Sequence, residues 1–126
     1  MNILVVEDNG IQRRLAGEVL SAAGHRVTSA SAVPPALAAI KSGRPDIVLL
    51  DLRLPGVDGL ELVRQLKADP ATRDIPIVAV TSYQEEYTRT AVLAAGCDAF
   101  LLKPLSTRTL PDVMRLIARP EPDPIS

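Results

Sequence analysis

Four short apolar runs, each ended by a polar residue, constrain this chain more than any other feature. Ile3-Leu4-Val5-Val6 leads into Glu7-Asp8, and Ile47-Val48-Leu49-Leu50 into Asp51. Ile77-Val78-Ala79-Val80 leads into Thr81, and Ala99-Phe100-Leu101-Leu102 into Lys103-Pro104. Continuous apolar runs of this length are what parallel strands covered on both faces look like. In an open α/β sheet, ligands sit outside the carboxyl ends of the strands. The residues that follow the runs therefore converge on one edge as three carboxylates, one hydroxyl and one amine. That mixture suits a divalent cation and a phosphoryl group.

Strand and helix patterns alternate five times. Asn9 can cap a first helix, with Gln12 as its capping-box partner. Ile11, Leu15 and Val19 mark the expected inner face, and Gly24 closes the helix. A second strand is expected near Arg26–Ser29. Pro34-Pro35 opens a second helix, where a missing N–H costs little, with Ala36, Leu37 and Ile40 inward. After Asp51, Pro55-Gly56 signals a turn. A third helix over 59–67 turns Leu62, Val63 and Leu66 inward. A fourth, over 85–95, has a weak, Ala-rich face. Ser106 can cap a fifth, with Leu110, Val113, Met114 and Ile117 inward. Residues 119–126 hold three prolines and are expected to form a flexible tail.

At 126 residues, one domain is the expectation, and no internal repeat is visible. Five βα units imply right-handed crossovers and a doubly wound parallel sheet. The order 2-1-3-4-5 places the first and third strands side by side, with the switch point between them. Glu7, Asp8 and Asp51 then share one crevice.

Composition narrows the function classes. The aromatic share is 2%, which argues against base-stacking platforms for single-stranded nucleic acid. Net charge is −1, and no basic stripe for nucleic acid is present. No apolar run reaches the roughly 20 residues that span a bilayer. No signal-peptide pattern follows Met1. The lone Cys97 excludes an internal disulfide and fits a cytoplasmic setting.

The chemistry of the crevice follows from its charges. At 4 Å and an effective dielectric of ~20, each like-charge carboxylate pair costs about 4 kcal/mol. A hard cation bound through oxygen, such as Mg²⁺, offsets this, and Lys103 adds a second positive charge. Asp51 is the candidate nucleophile, because carboxylates form aspartyl-phosphate intermediates. Phosphoryl transfer needs mostly positioning and charge neutralisation. The Thr81 hydroxyl can bond a phosphoryl oxygen.

Glu7-Asp8, Asp51, Thr81 and Lys103-Pro104, with the loop from Asp51 to Gly59, resemble the receiver domain of two-component response regulators. The resemblance covers roughly residues 2–118. It implies a (βα)5 flavodoxin-like fold and a receiver domain over 1–118. It also implies that Asp51 takes a phosphoryl group from a phosphohistidine on a sensor histidine kinase or histidine phosphotransfer protein. Asp8, Asp51 and the backbone carbonyl of Arg53 would ligate Mg²⁺, with Glu7 acting through water. Thr81 and Lys103 would contact the phosphoryl group. Phe100 matches an aromatic switch position paired with Thr81, and Lys103-Pro104 matches a bond that is usually cis. Arg53 and Tyr83 fall at variable positions that tune phosphoryl lifetime, and Ser82 at one that needs a small residue. The output is a changed surface for a downstream protein, so the chain reads as a signalling receiver rather than an enzyme proper. Direct contact with nucleic acid or membrane is not expected.

Two alternatives are a degenerate receiver that binds partners without phosphorylation and a haloacid-dehalogenase-like phosphatase. The latter needs an Asp two residues after its nucleophile, where this chain has Arg53. A dinucleotide-binding reading lacks its G-x-G-x-x-G turn. Bland roles are expected for His25 (surface loop), Cys97 (packed), Glu85-Glu86 (solvated helix start) and Arg13-Arg14 (solvated face).

Overall fold

A computed structural model describes residues 1–82 and 88–118. Strand β1 (Asn2–Val6) is followed by helix α1 (Gly10–Ala22), β2 (Arg26–Ala30), α2 (Val33–Ser42) and β3 (Ile47–Asp51). A two-residue pair, β4 (Arg53–Leu54) and β5 (Val57–Asp58), then precedes α3 (Gly59–Ala68). The chain continues through β6 (Ile77–Thr81), α4 (Arg89–Ala94), β7 (Ala99–Leu102) and α5 (Leu110–Ala118). Five strands form a parallel sheet in the order β2-β1-β3-β6-β7. This is the expected 2-1-3-4-5 order once the small antiparallel β4-β5 pair is set aside. That pair turns through Pro55-Gly56, with Gly56 at φ 68°.

Alternation along the strands builds two cores. Leu4, Val6, Val48, Leu50, Ile77 and Ala79 face α2, α3 and α4. Ile3, Val5, Ile47, Leu49, Val78 and Val80 face α1 and α5. Strands β3 and β6 are buried at every position, because helices cover both faces at the centre of the sheet. Aliphatic side chains fill these cores almost alone.

Helix α1 rolls away from its expected face. Ile11 is 82% exposed and Leu15 49%, while Ala16 and Leu20 point inward. The 16/20 stripe has the same four-residue spacing, one position further round. Helices α2, α3 and α5 bury the faces expected of them. Asp58 caps α3, and Leu62, Val63 and Leu66 are buried. Leu110 and Met114 anchor α5. Ser106 accepts from the Thr109 N–H at 3.3 Å, but it caps a turn, and α5 proper begins at Leu110. Helix α4 begins at Arg89 with Thr88 as its cap, later than expected. The readings made for Tyr83, for Glu85-Glu86 and for residues 119–126 fall outside the described residues. No described helix is long and apolar enough to cross a membrane.

Gly59 locks the loop after β3 against the sheet. Its N–H donates to the Leu52 carbonyl at 2.9 Å, and a Cβ there would come within 2.6 Å of the Leu52 Cα and O. Gly59→Ala should cost about 1–3 kcal/mol through backbone displacement. Urea denaturation measures it, and unchanged stability would show that the loop is not pinned at this point.

Candidate functional site

The site is built from strand ends. β1 and β3 are neighbours whose crossovers leave to opposite faces, so a crevice opens between their carboxyl ends. Glu7 and Asp8 leave β1 there, and Asp51 ends β3. One carboxylate oxygen from each of the three lies within 4.8 Å of the others. Glu7 and Asp51 are buried, and Asp8 is exposed.

Lys103 closes the pocket from β7. Its Nζ donates to Asp51 Oδ2 at 2.9 Å and to Glu7 Oε1 at 3.1 Å. Its backbone N–H donates to the Thr81 carbonyl at 2.7 Å, which ties the lysine to β6. The Lys103-Pro104 bond is cis, as the family resemblance implies. The outer oxygens of the pair have backbone donors. Arg53 N–H donates to Asp51 Oδ1 at 3.0 Å, and Asn9 N–H to Glu7 Oε2 at 3.3 Å. Thr81 is 1% exposed, and among the described residues its hydroxyl oxygen has no hydrogen-bond partner. A buried hydroxyl without a partner is costly, so this one is available to an incoming oxygen.

Charge sets the protonation. Burial, reinforced by the Asp51 carboxylate, raises the Glu7 pKa from 4.5 to about 7, although Lys103 pulls it down. Burial alone would lower the Lys103 pKa, but hydrogen bonds and charge from Asp51 and Glu7 outweigh it and the net direction is up. The donor set is oxygen only, with no thiolate or imidazole among the three. That chemistry fits a hard divalent cation better than a soft one.

The structure thus brings Glu7, Asp8, Asp51 and Lys103 together, with the N–H of Arg53 on Asp51 and Thr81 at the adjacent strand end. Phe100 is half-buried on β7, opposite Ala79, and packs against the α2–α4 core. His25 is half-buried, with its Nδ1 3.3 Å from the Met1 amine. Cys97 is buried, and burial pushes its thiol up to about 11. Arg14 is solvated and pairs with Glu18, as expected. Arg13 is not: it is half-buried, and its Nη1 donates to the carbonyls of Glu7 and Asp8. Its only trace in the sequence is its place one turn into a helix that starts at the acidic pair.

The fold is thus a doubly wound α/β domain with three carboxylates at its switch point and a lysine reaching them from the end of β7. Residues 3–115 match the response regulator receiver domain, and the chain belongs to that family. It is 38% identical over 117 residues to the phosphate regulon transcriptional regulatory protein PhoB of Pseudomonas aeruginosa, covering 93% of this chain and 51% of that regulator. The chain therefore spans about half of that relative's length. It is 33% identical to the polar-differentiation response regulator DivK of Brucella anthropi, covering 83% of this chain and 85% of that one. Among solved structures, it superposes on the receiver domain of the sensor histidine kinase PA1611 from P. aeruginosa with a TM-score of 0.82. Identity there is 31%, with 93% and 96% of the two chains covered, and that structure has magnesium coordinated in its active-site cleft. The chemotaxis response regulator CheY4 of Vibrio cholerae superposes with a TM-score of 0.84 at 25% identity, covering 92% and 97%.

The Glu7 shift carries a pH signature. The folded, metal-free protein holds this proton to about pH 7, whereas the unfolded chain releases it near 4.5. The folded state therefore binds more protons across that window, and the contribution of Glu7 to stability falls as pH rises. Glu7→Gln removes the titration. Its melting temperature should gain on the wild type from about pH 5 to about pH 7.5. A difference that stays flat over that range, measured in chelator, would show that Glu7 ionises normally.

Proposed function

We propose that this chain is a phosphoacceptor of a two-component or phosphorelay system. In this reading, Asp51 takes a phosphoryl group from a phosphohistidine on a sensor histidine kinase or histidine phosphotransfer protein. The observation that carries it is the buried Asp51 carboxylate, bonded to Lys103 at 2.9 Å inside an oxygen-only acidic cluster. An Asp51 oxygen attacks phosphorus as the phosphorus–nitrogen bond to the donor imidazole breaks. Lys103 stays beside the new phosphoryl oxygens and stabilises their charge. The Thr81 hydroxyl donates to one of them. Bound Mg²⁺ would be held by Asp8, Asp51 and the carbonyl of Arg53, with Glu7 acting through water, and it would neutralise charge on the transferring group. The same groups serve loss of the phosphoryl group to water, so the receiver promotes both the setting and the resetting of its own signal.

A protein donor needs a surface beside the pocket. The exposed Ile11 and Leu15 of α1 supply an apolar one. Leu15 also lines a cleft of ≈ 200 Å³ shared with Glu7, Asp51, Lys103 and Leu105. The names of the relatives support the signalling assignment: PhoB is a transcriptional regulatory protein, DivK a differentiation regulator, and PA1611 a sensor kinase.

The output is a population shift. A phosphoryl group adds about −1.5 to −2 charge and three acceptor oxygens. Thr81 moves toward one of them, and Phe100 takes up the space it leaves. A downstream protein then reads the altered surface of α4, β7 and α5.

Acetyl phosphate with Mg²⁺ should add one phosphoryl mass to the wild type and none to Asp51→Asn, as intact-mass spectrometry reads it. Equal labelling of the variant would remove Asp51 as acceptor. Thr81→Ala should still accept the group but blunt the response at Phe100. Amide shifts of residues 99–105, with and without beryllofluoride, test this, and shifts equal to wild type would exclude the hydroxyl from the switch.

A further inference from the structure

We propose that Arg13 is a positioning residue of the acidic pocket, holding the backbone of Glu7 and Asp8 so that their carboxylates meet Asp51. This rests on the reading of the pocket as a divalent-cation site. Arg13 stands one turn into α1, where its own N–H donates to the Asn9 carbonyl at 2.9 Å. A cation is disfavoured near a helix N-terminus, so an arginine folded back across that end needs a compensating partner. It has two. Nη1 donates to the Glu7 carbonyl at 2.9 Å and to the Asp8 carbonyl at 3.3 Å. Arg14, the next residue, reaches solvent instead and pairs with Glu18.

The contact falls where the backbone loses its ladder. Glu7 N–H is still held by the Ala30 carbonyl at 3.0 Å. Beyond it the chain leaves the sheet, and its carbonyls need other donors. Among the described residues, Arg13 is the one side chain that bonds the backbone of Asp8. Asp8 is exposed, so packing does little to fix its carboxylate. Its position depends on its backbone, and its backbone depends on Arg13. Groups that orient metal ligands in this way commonly govern affinity although they never touch the ion.

The sign of the effect separates this role from a bland one. Arg13 is a cation beside an acidic cluster. If it acted by charge alone, its removal would tighten Mg²⁺ binding. If it positions, removal loosens binding in spite of the relieved repulsion. Calorimetric Mg²⁺ titration of the full chain should show Arg13→Met binding about tenfold more weakly than wild type. Arg14→Met removes the same charge one residue on and should bind as wild type does. Arg13→Lys keeps the charge on a stem too short for both carbonyls, and should bind about threefold more weakly. Should Arg13→Met fail to show a cooperative thermal transition, Arg13→Lys decides in its place. Affinity equal to or tighter than wild type in the deciding variant overturns the proposal. An equal loss in Arg14→Met does the same, because Arg14 makes no contact with the Glu7 and Asp8 carbonyls and the loss would then not come from the Arg13 hydrogen bonds. A wild-type chain with no saturable Mg²⁺ binding would instead sink the metal-site reading, and this inference with it.

Discussion

Three carboxylates at one sheet edge repel one another, and the rest of the site is arranged around that repulsion. Their oxygens approach within 4.8 Å, a range at which each like pair costs a few kcal/mol at an effective dielectric of ~20. Lys103 offsets part of it by bonding Asp51 and Glu7 at once. Glu7 holds its proton to about pH 7, chiefly because it is buried and further because Asp51 lies beside it. The metal-free pocket is thus incompletely neutralised. In the proposed reading, a hard cation would relieve it, and the cation and Lys103 together would hold the negative charge that a phosphoryl group brings.

Topology delivers these groups without long loops. Asp51 is the last residue of a strand buried at every position, so its carboxylate sits on a rigid support. Lys103 follows an edge strand and is tied by its N–H to the last residue of β6. Movement at Thr81 therefore has a direct backbone route to Lys103 and to β7, where Phe100 lies. The interior that could respond is aliphatic and small on that side: Ala79 pairs with Phe100 across the ladder, and Val92 is the buried residue of α4. Among the described residues the Thr81 hydroxyl has no hydrogen-bond partner, which in the proposed reading is the local cost of a site built for a group that arrives later.

Much of this was legible in the sequence because strand burial writes itself as uninterrupted apolar runs. Four of the five strands, the crevice members and the turn at Pro55-Gly56 followed from those runs and their punctuation, whereas the edge strand Arg26–Ala30 has no such run and the sheet order came from the known doubly wound pattern. Where the reading failed, size had been mistaken for burial. Ile11 and Leu15 looked like the inner face of α1, but Ala16 and Leu20 pack closer and turn the larger residues outward. Arg13 was read as solvated because an arginine pair on a helix usually is. Only the three-dimensional return of the chain past Glu7 and Asp8 gives it carbonyl partners. The start of α4 was misplaced because Glu85-Glu86 is a good first turn in composition, whereas Thr88 supplies the observed cap. Gly59 carried no signal beyond its turn chemistry, since its role is a close approach to the backbone of Leu52.

The central proposal is that Asp51, of the two carboxylates bonded to Lys103, is the one that becomes phosphorylated. Borohydride reduction tests it most directly, because it converts an aspartyl phosphate to homoserine and leaves free carboxylates alone. After treatment with acetyl phosphate and Mg²⁺, peptide sequencing by mass spectrometry should find homoserine at position 51 and aspartate unchanged at position 8. Homoserine at position 8, or at neither position in protein that carries the added phosphoryl mass, would contradict the account.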